Sequence, residues 1–253
     1  MANYHLEVKM ISRGSGRSLA ASMSYILGEK MRDYYLGKTY RTSRRDVVAK
    51  HVYLPENAPP QFRNPQSLCR EIDQAEKRWD AQTARQFIGS LPNELPPGEW
   101  VRIVRDFVER NFLSQNLCAV AAIHRGRNPI SKDRNNPHVH IIVSTRTLGP
   151  EGFSTKKDRE HNKRKYLELW RQEWALVQNR AYERNHMKTR VSHQRLAERG
   201  IERIPTIHLS TRDWQREQRG ERTIAGNRKR AIQRQNREIQ LERERLPELD
   251  RHR

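Results

Sequence analysis

Three histidines and one tyrosine carry the chemistry that this sequence can do. In His138-Val139-His140 the two-residue repeat of a strand puts both imidazoles on one face and Val139, Ile141 and Val143 on the other. His124 closes the preceding apolar run, LCAVAAIH, so hairpin pairing of the two segments brings it opposite or diagonal to that pair. Three neutral imidazoles so placed bind Zn²⁺, Mn²⁺ or another transition-type divalent cation. They leave positions open for water or a phosphate oxygen, as in a catalytic rather than a structural centre. The tyrosine is Tyr25. On a helical wheel from Ser18 to Met31, Leu19, Ala20, Met23, Ile26 and Leu27 form an apolar stripe, and Tyr25 lies nearly opposite it among Ala21, Ser22, Gly28 and Glu29. A ring in that position either packs beneath a loop or offers its hydroxyl as a nucleophile. Ionising a free phenol at neutral pH costs roughly 4 kcal/mol, so the second use demands a base or strong positive potential, which a cation holding the target phosphate would supply.

These side chains need a sheet and a helix to hold them. Alternation from Tyr4 to Met10 predicts a first strand. The Gly/Ser turn that follows carries Arg13 and Arg17, could hold phosphate, and ends at Ser18, a plausible N-cap for the tyrosine helix. VVAKHVYL, stopped by Pro55, predicts a strand from Val47 to Leu54. Leu68, Ile72, Ala75 and Trp79 recur at helical spacing, and Pro97 opens a helix with Trp100, Val104, Phe107 and Val108. Between Asn116 and Arg146 the chain reads as a hairpin with a long polar tip, and the face of Tyr166, Trp170, Trp174, Val177 and Ala181 predicts a helix that covers the sheet. The expected class is α+β, with a central antiparallel sheet bearing the histidine face and covered by helices.

Composition agrees with a polyanionic partner. Of 253 residues only 34% are hydrophobic and 32% are charged, and 50 Lys+Arg against 30 Asp+Glu leave a net charge of +20. Such an excess points first to nucleic acid. There is no apolar run of membrane-spanning length, and the opening MANYHLEVKM lacks a signal-peptide pattern, so the expected location is the cytoplasm, without membrane insertion. Cys69 and Cys118 sit in apolar contexts and read as core thiols. From Thr211 to Arg253 there are 13 Lys/Arg and 8 Asp/Glu with few apolar residues, so residues 211–253 read as a basic helical tail after a domain spanning 1–210. Ala225, Ile232, Ile239 and Leu246 recur every seven residues along it, a seam too thin to define a coiled coil.

The strand, the tyrosine helix and the histidine hairpin together resemble the relaxases of plasmid mobilisation, the MobA/MobL group within the HUH endonucleases. The resemblance runs over residues 2–210 through YHLEVKMISRGSGRSLAASMSYILGEK, KHVYLPENAP, AVAAIH, NPHVHI and GIERIPTIHLS. It implies an HUH histidine face in which His124, His138 and His140 hold Mg²⁺ or Mn²⁺. It also implies that Tyr25 attacks one strand at a transfer origin, leaving a 5′-phosphotyrosyl link that can later be rejoined. Single-stranded origin DNA, accessory mobilisation proteins and a coupling protein are the partners implied. The chain departs from the family where related sequences commonly carry a carboxylate: ARQFIGSLP has Gln86, a neutral amide, and Asp133 or Glu29 are candidate substitutes. It departs again in the long tip RGRNPISKDRNN.

DNA contacts are expected from Arg13, Arg17, Arg125, Arg127, Lys132, Arg134, Lys156, Lys157 and Arg164, with Arg41, Arg44, Arg45, Lys163 and Lys165 as further cations. Tyr34, Tyr35 and Tyr40 are placed to stack on bases or to pack in the core. Two other readings compete. A rolling-circle replication initiator shares the histidine chemistry but generally carries its tyrosine after the histidine motif, whereas Tyr25 precedes it. A noncatalytic basic DNA-binding accessory protein with a structural metal fits the neutral Gln86.

Overall fold

A computed structural model describes residues 4–126, 135–207 and 209–250. Its centre is a five-stranded antiparallel sheet of β1 (Leu6–Ser12), β4 (Val47–Tyr53), β5 (Gln82–Ser90), β6 (Ala119–His124) and β7 (His138–Ser144). The strand order is β1-β5-β7-β6-β4. Alternation in β6 and β7 divides their side chains between two apolar cores, one on each face. On one face Ala121, Ile123, Val139, Ile141 and Val143 meet Phe107 of α3 (Pro97–Asn111) and Trp170 and Trp174 of α4 (Arg164–Arg184). On the other, Val120, Ala122 and Ile142 meet Leu19, Met23 and Ile26 of α1 (Leu19–Leu27) and Leu68 and Ile72 of α2 (Pro65–Gln74). Both cysteines are free and buried, as expected of core thiols.

The tyrosine helix is set by its two ends. The Ser18 hydroxyl accepts from the Ala21 N–H at 3.0 Å, a side-chain N-cap, and donates to Asp33 at 2.6 Å. At the other end Gly28 adopts the left-handed conformation (φ 64°) and its N–H bonds the Ser24 carbonyl. Helix α1 therefore stops at Leu27 rather than running to Met31. The chain turns into a small hairpin of β2 (Lys30–Asp33) and β3 (Lys38–Arg41) that alternation did not reveal. Trp79 also departs from the helical spacing: α2 ends at Gln74, and Trp79 is 72% exposed in the turn that leads to β5. A two-residue pair, β8 (Leu148–Gly149) and β9 (Gly152–Phe153), follows β7.

The chain divides into two compact units, Met1–His193 and Gln194–Arg253. The second holds α5 (Thr211–Gln218) and α6 (Ile224–Asp250). Glu217 ties them: its carboxylate accepts from the Thr223 N–H at 2.6 Å, the Thr223 hydroxyl at 2.9 Å and Arg230 at 2.5 Å. Ile224 and Leu241 are exposed on α6, as a solvated helix requires. Among the described residues no helix is long and apolar enough to cross a membrane.

Candidate active site

Hairpin register builds the histidine cluster. His124 pairs with His138, and Ala122 with His140, so the three imidazoles share the sheet face that α1 covers. Their centroids are 4.9 to 5.3 Å apart, and one ring nitrogen from each lies within 4.8 Å of the others, close enough for a shared metal ion. Two of the rings are oriented through their outer nitrogens. His124 Nε2–H donates to the Ile26 carbonyl at 2.7 Å, and His138 Nδ1–H donates to the Asn136 carbonyl at 2.8 Å. These bonds leave lone pairs on His124 Nδ1 and His138 Nε2. Among the described residues, the buried His124 Nδ1 and His140 Nε2 have no hydrogen-bond partner, which fits a site built for a cation. Burial, reinforced by the Arg44 charge and by neighbouring imidazoles, pushes His124 down to about 4 and His140 down to about 3, and lowers His138 as well. All three are therefore neutral at physiological pH, the form that ligates.

Tyr25 stands over this cluster. Its ring lies edge-on, 5.8 Å from His140 and 6.4 Å from His124 by centroids, and the residue is 48% exposed. The bond from His124 to the Ile26 carbonyl anchors the last turn of α1 to β6, which fixes the position of the neighbouring tyrosine. Arg44 lies over the tyrosine ring, 4.5 Å from its centroid, and its guanidinium donates in bidentate fashion to Asp46 at 2.9 and 2.8 Å. Those bonds hold the Asp46 carboxyl below the usual carboxylate range. The Asp46 carbonyl accepts from the Arg125 N–H, and Val47 pairs with His124, so this loop borders the histidines. Sequence reasoning counted Arg44 among the cations and missed Asp46. No local pattern marks either residue, because the register of β4 against β6 brings them here.

Gln86, in β5, lies beside the cluster. Its Oε1 accepts from Arg17 Nη2 at 2.5 Å and its Nε2 faces His140 Nδ1 at 3.4 Å. Of the proposed DNA contacts, Arg125 is exposed next to His124, whereas Arg13 is turned inward. The Arg13 guanidinium donates to Asp73 and to the carbonyls of Asp73, Glu76 and Arg78, and stacks 3.7 Å from the Tyr35 centroid. Lys157 binds Glu76 and the Gln82 carbonyl, four residues along β5 from Gln86, or about 13 Å away at strand rise. Lys156 is exposed in the same connection, and Arg164 pairs with Glu168 on α4. These three are not brought to the histidines. Arg127, Lys132, Asp133 and Arg134 lie outside the described residues. Glu29 is ion-paired to Lys50 at 2.8 Å. Tyr34 and Tyr35 are half-exposed between β2 and β3.

Residues 17–219 match the MobA/MobL family. A probable mobilization protein MobA of Bifidobacterium longum is 33% identical over 63% of this chain and 28% of its own length. A conjugal transfer protein TraA of Agrobacterium fabrum is 30% identical over 83% of this chain and 21% of its own. The chain thus spans less than a third of either relative. A solved structure described as the molecular basis of vancomycin resistance transfer in Staphylococcus aureus superposes with a TM-score of 0.68 at 25% identity, covering 76% of this chain and 98% of that one.

Proposed function

Because the chain belongs to the MobA/MobL family, we propose that it is a relaxase, which nicks one strand of plasmid DNA at a transfer origin and later rejoins it. The observation that carries this reading is the tyrosine hydroxyl-bearing ring set over three convergent, neutral imidazoles. In the proposed reaction the Tyr25 oxygen attacks the scissile phosphorus. A 5′-phosphotyrosyl bond forms as the bond to the departing 3′-oxygen breaks, and the strand keeps its phosphodiester energy for rejoining. His124 Nδ1, His138 Nε2 and His140 Nε2 would hold Mg²⁺ or Mn²⁺, which supplies Lewis-acid charge at a phosphate oxygen when bound. Arg44 adds fixed positive charge beside the phenol, lowering the cost of its ionisation. Arg125, exposed next to His124, is one of the proposed DNA contacts, with Arg17, with Arg127, Lys132 and Arg134 of the tip, and with Lys156, Lys157 and Arg164. The substrate is single-stranded origin DNA, the setting is the cytoplasm, and accessory mobilisation proteins and a coupling protein complete the assembly.

The test is covalent capture. The full chain, Mn²⁺ and an origin-bearing single strand should give an adduct on a denaturing gel. Tyr25→Phe should abolish it with DNA affinity nearly unchanged, since only the hydroxyl of a half-exposed ring is lost; undiminished nicking by that variant would remove Tyr25 from the mechanism. The neutral amide at Gln86 supports a second reading, a noncatalytic DNA-binding protein with a structural metal. Absence of any adduct despite tight metal and DNA binding would favour it.

A further inference from the structure

The amide of Gln86 faces two partners that constrain it in turn. A guanidinium is donor-only, so Arg17 Nη2 at 2.5 Å requires the Gln86 oxygen on its side. A second bond, from Arg17 Nη1 to the Met10 carbonyl at 2.9 Å, holds the guanidinium in place. The Gln86 amide nitrogen then faces His140 Nδ1 at 3.4 Å, and because that nitrogen can only donate, Nδ1 must accept. A neutral imidazole has one N–H. In His140 it therefore sits on Nε2, the buried atom with no other partner among the described residues. His124 and His138 are arranged the opposite way. Their outer nitrogens donate to carbonyls and their inner ones carry lone pairs.

We infer that Arg17, acting through Gln86, determines which ring nitrogen of His140 carries the proton, and thereby sets the affinity of the histidine cluster for its divalent cation. The inference rests on the reading of His124, His138 and His140 as metal ligands. For His140 Nε2 to ligate, its proton must move to Nδ1 and the Gln86 amide must turn its oxygen toward the ring. That turn sets the amide N–H₂ against Arg17, donor against donor, unless the guanidinium leaves. Arg17 is thus a positioning residue that opposes metal loading. Two substitutions remove the opposition by different routes. Arg17→Met frees the amide to rotate. Gln86→Glu offers a carboxylate that accepts from Arg17 and from His140 Nδ1–H together.

Two measurements on the full metal-free chain test this. Nitrogen-15 NMR of the imidazoles should show the Nε2–H tautomer of His140 in the wild type and the Nδ1–H tautomer in Gln86→Glu, with Arg17→Met shifted in the same direction. Titration calorimetry with Mn²⁺ should show affinity raised by about 10-fold to 100-fold in Gln86→Glu, the range by which outer-shell partners tune metal sites, and raised in Arg17→Met. An Nδ1–H tautomer of His140 already present in the wild type would overturn the inference, as would unchanged affinity in both variants of a protein whose Mn²⁺ binding is lost in His124→Ala. If His124→Ala left Mn²⁺ binding intact, the ligand reading itself would fall, and the tautomer spectra would still decide the role of Arg17.

Discussion

Arg44 meets at one residue the requirement that Tyr25 creates. A phenol asked to attack a phosphate needs positive charge close by, and the guanidinium 4.5 Å from the ring centroid provides it while Asp46 fixes its plane. Arg44→Ala should lower the rate of adduct formation on the order of 10²-fold, the usual cost of one charge-stabilising donor, and Arg44→Lys should recover only part of it because a lysine cannot hold the bidentate pair. Single-turnover gels measure both, and unchanged rates would remove Arg44 from the site. The placements of His138, His140 and Tyr25 were legible in the sequence because each follows from a short local period, two for the histidines and about 3.6 for the helix that turns Tyr25 away from its apolar stripe, and that of His124 because it followed from hairpin pairing. Arg44 and Asp46 were not, because they act here only through the pairing of β4 with β6, nearly eighty residues apart in the chain.

At the scale of elements, β5 is the strand of the central sheet that patterning missed. Its sequence, QTARQFIGS, puts a buried Arg85 and the glycine Gly89 where a reader expects aliphatic residues. Structure explains both. Arg85 donates to the Asp158 carbonyl and to Asn162, and Gly89 lies under the Trp174 indole, where an added Cβ would come within 2.6 Å of Cζ2. Gly89→Ala should therefore lose about 1 to 3 kcal/mol of stability through overpacking, read as a lower urea midpoint. Helix α2 carries a pH-dependent pair. Burial pushes the Asp73 carboxyl up to about 6, although Arg13 lies 3.2 Å away. An unfolded aspartate releases its proton near pH 4. The folded chain holds that extra proton between about pH 4 and 6, so this group's contribution to stability falls as pH rises through that window and is level above it. Relative to wild type, Asp73→Asn should gain in thermal midpoint from pH 4 to pH 6 and then plateau. A difference that stays constant over this range would contradict the assignment.

At the scale of the whole molecule, the chain carries a net charge of +20 and divides into two compact units. All the residues of the candidate site lie in the first unit, and among its described side chains α6 carries charge with few buried apolar ones. A chain ending after Ser210 should still form the covalent adduct on a short single strand. Its binding should be weaker and its log affinity should depend less steeply on log salt, since each phosphate contact removed flattens that slope by about 0.7 for single strands. Loss of adduct from a truncated protein that keeps its circular dichroism would assign the tail to the active unit. Helices α5 and α6 fall in the stretch read as a basic helical tail. The compact units divide at His193, 17 residues before the change in composition near Ser210.

The strand order also has a temporal meaning. Tyr25 is synthesised 115 residues before His140, roughly 6 to 23 s earlier at ordinary elongation rates. For most of that interval α1 lacks Val120, Ala122 and Ile142, the sheet residues its apolar stripe packs against, and Ile26 lacks His124, the histidine that anchors it. A nascent chain therefore carries the proposed nucleophile without an address. On the proposed reading, cutting competence would wait until β7 slots between β5 and β6 and completes the centre of the sheet.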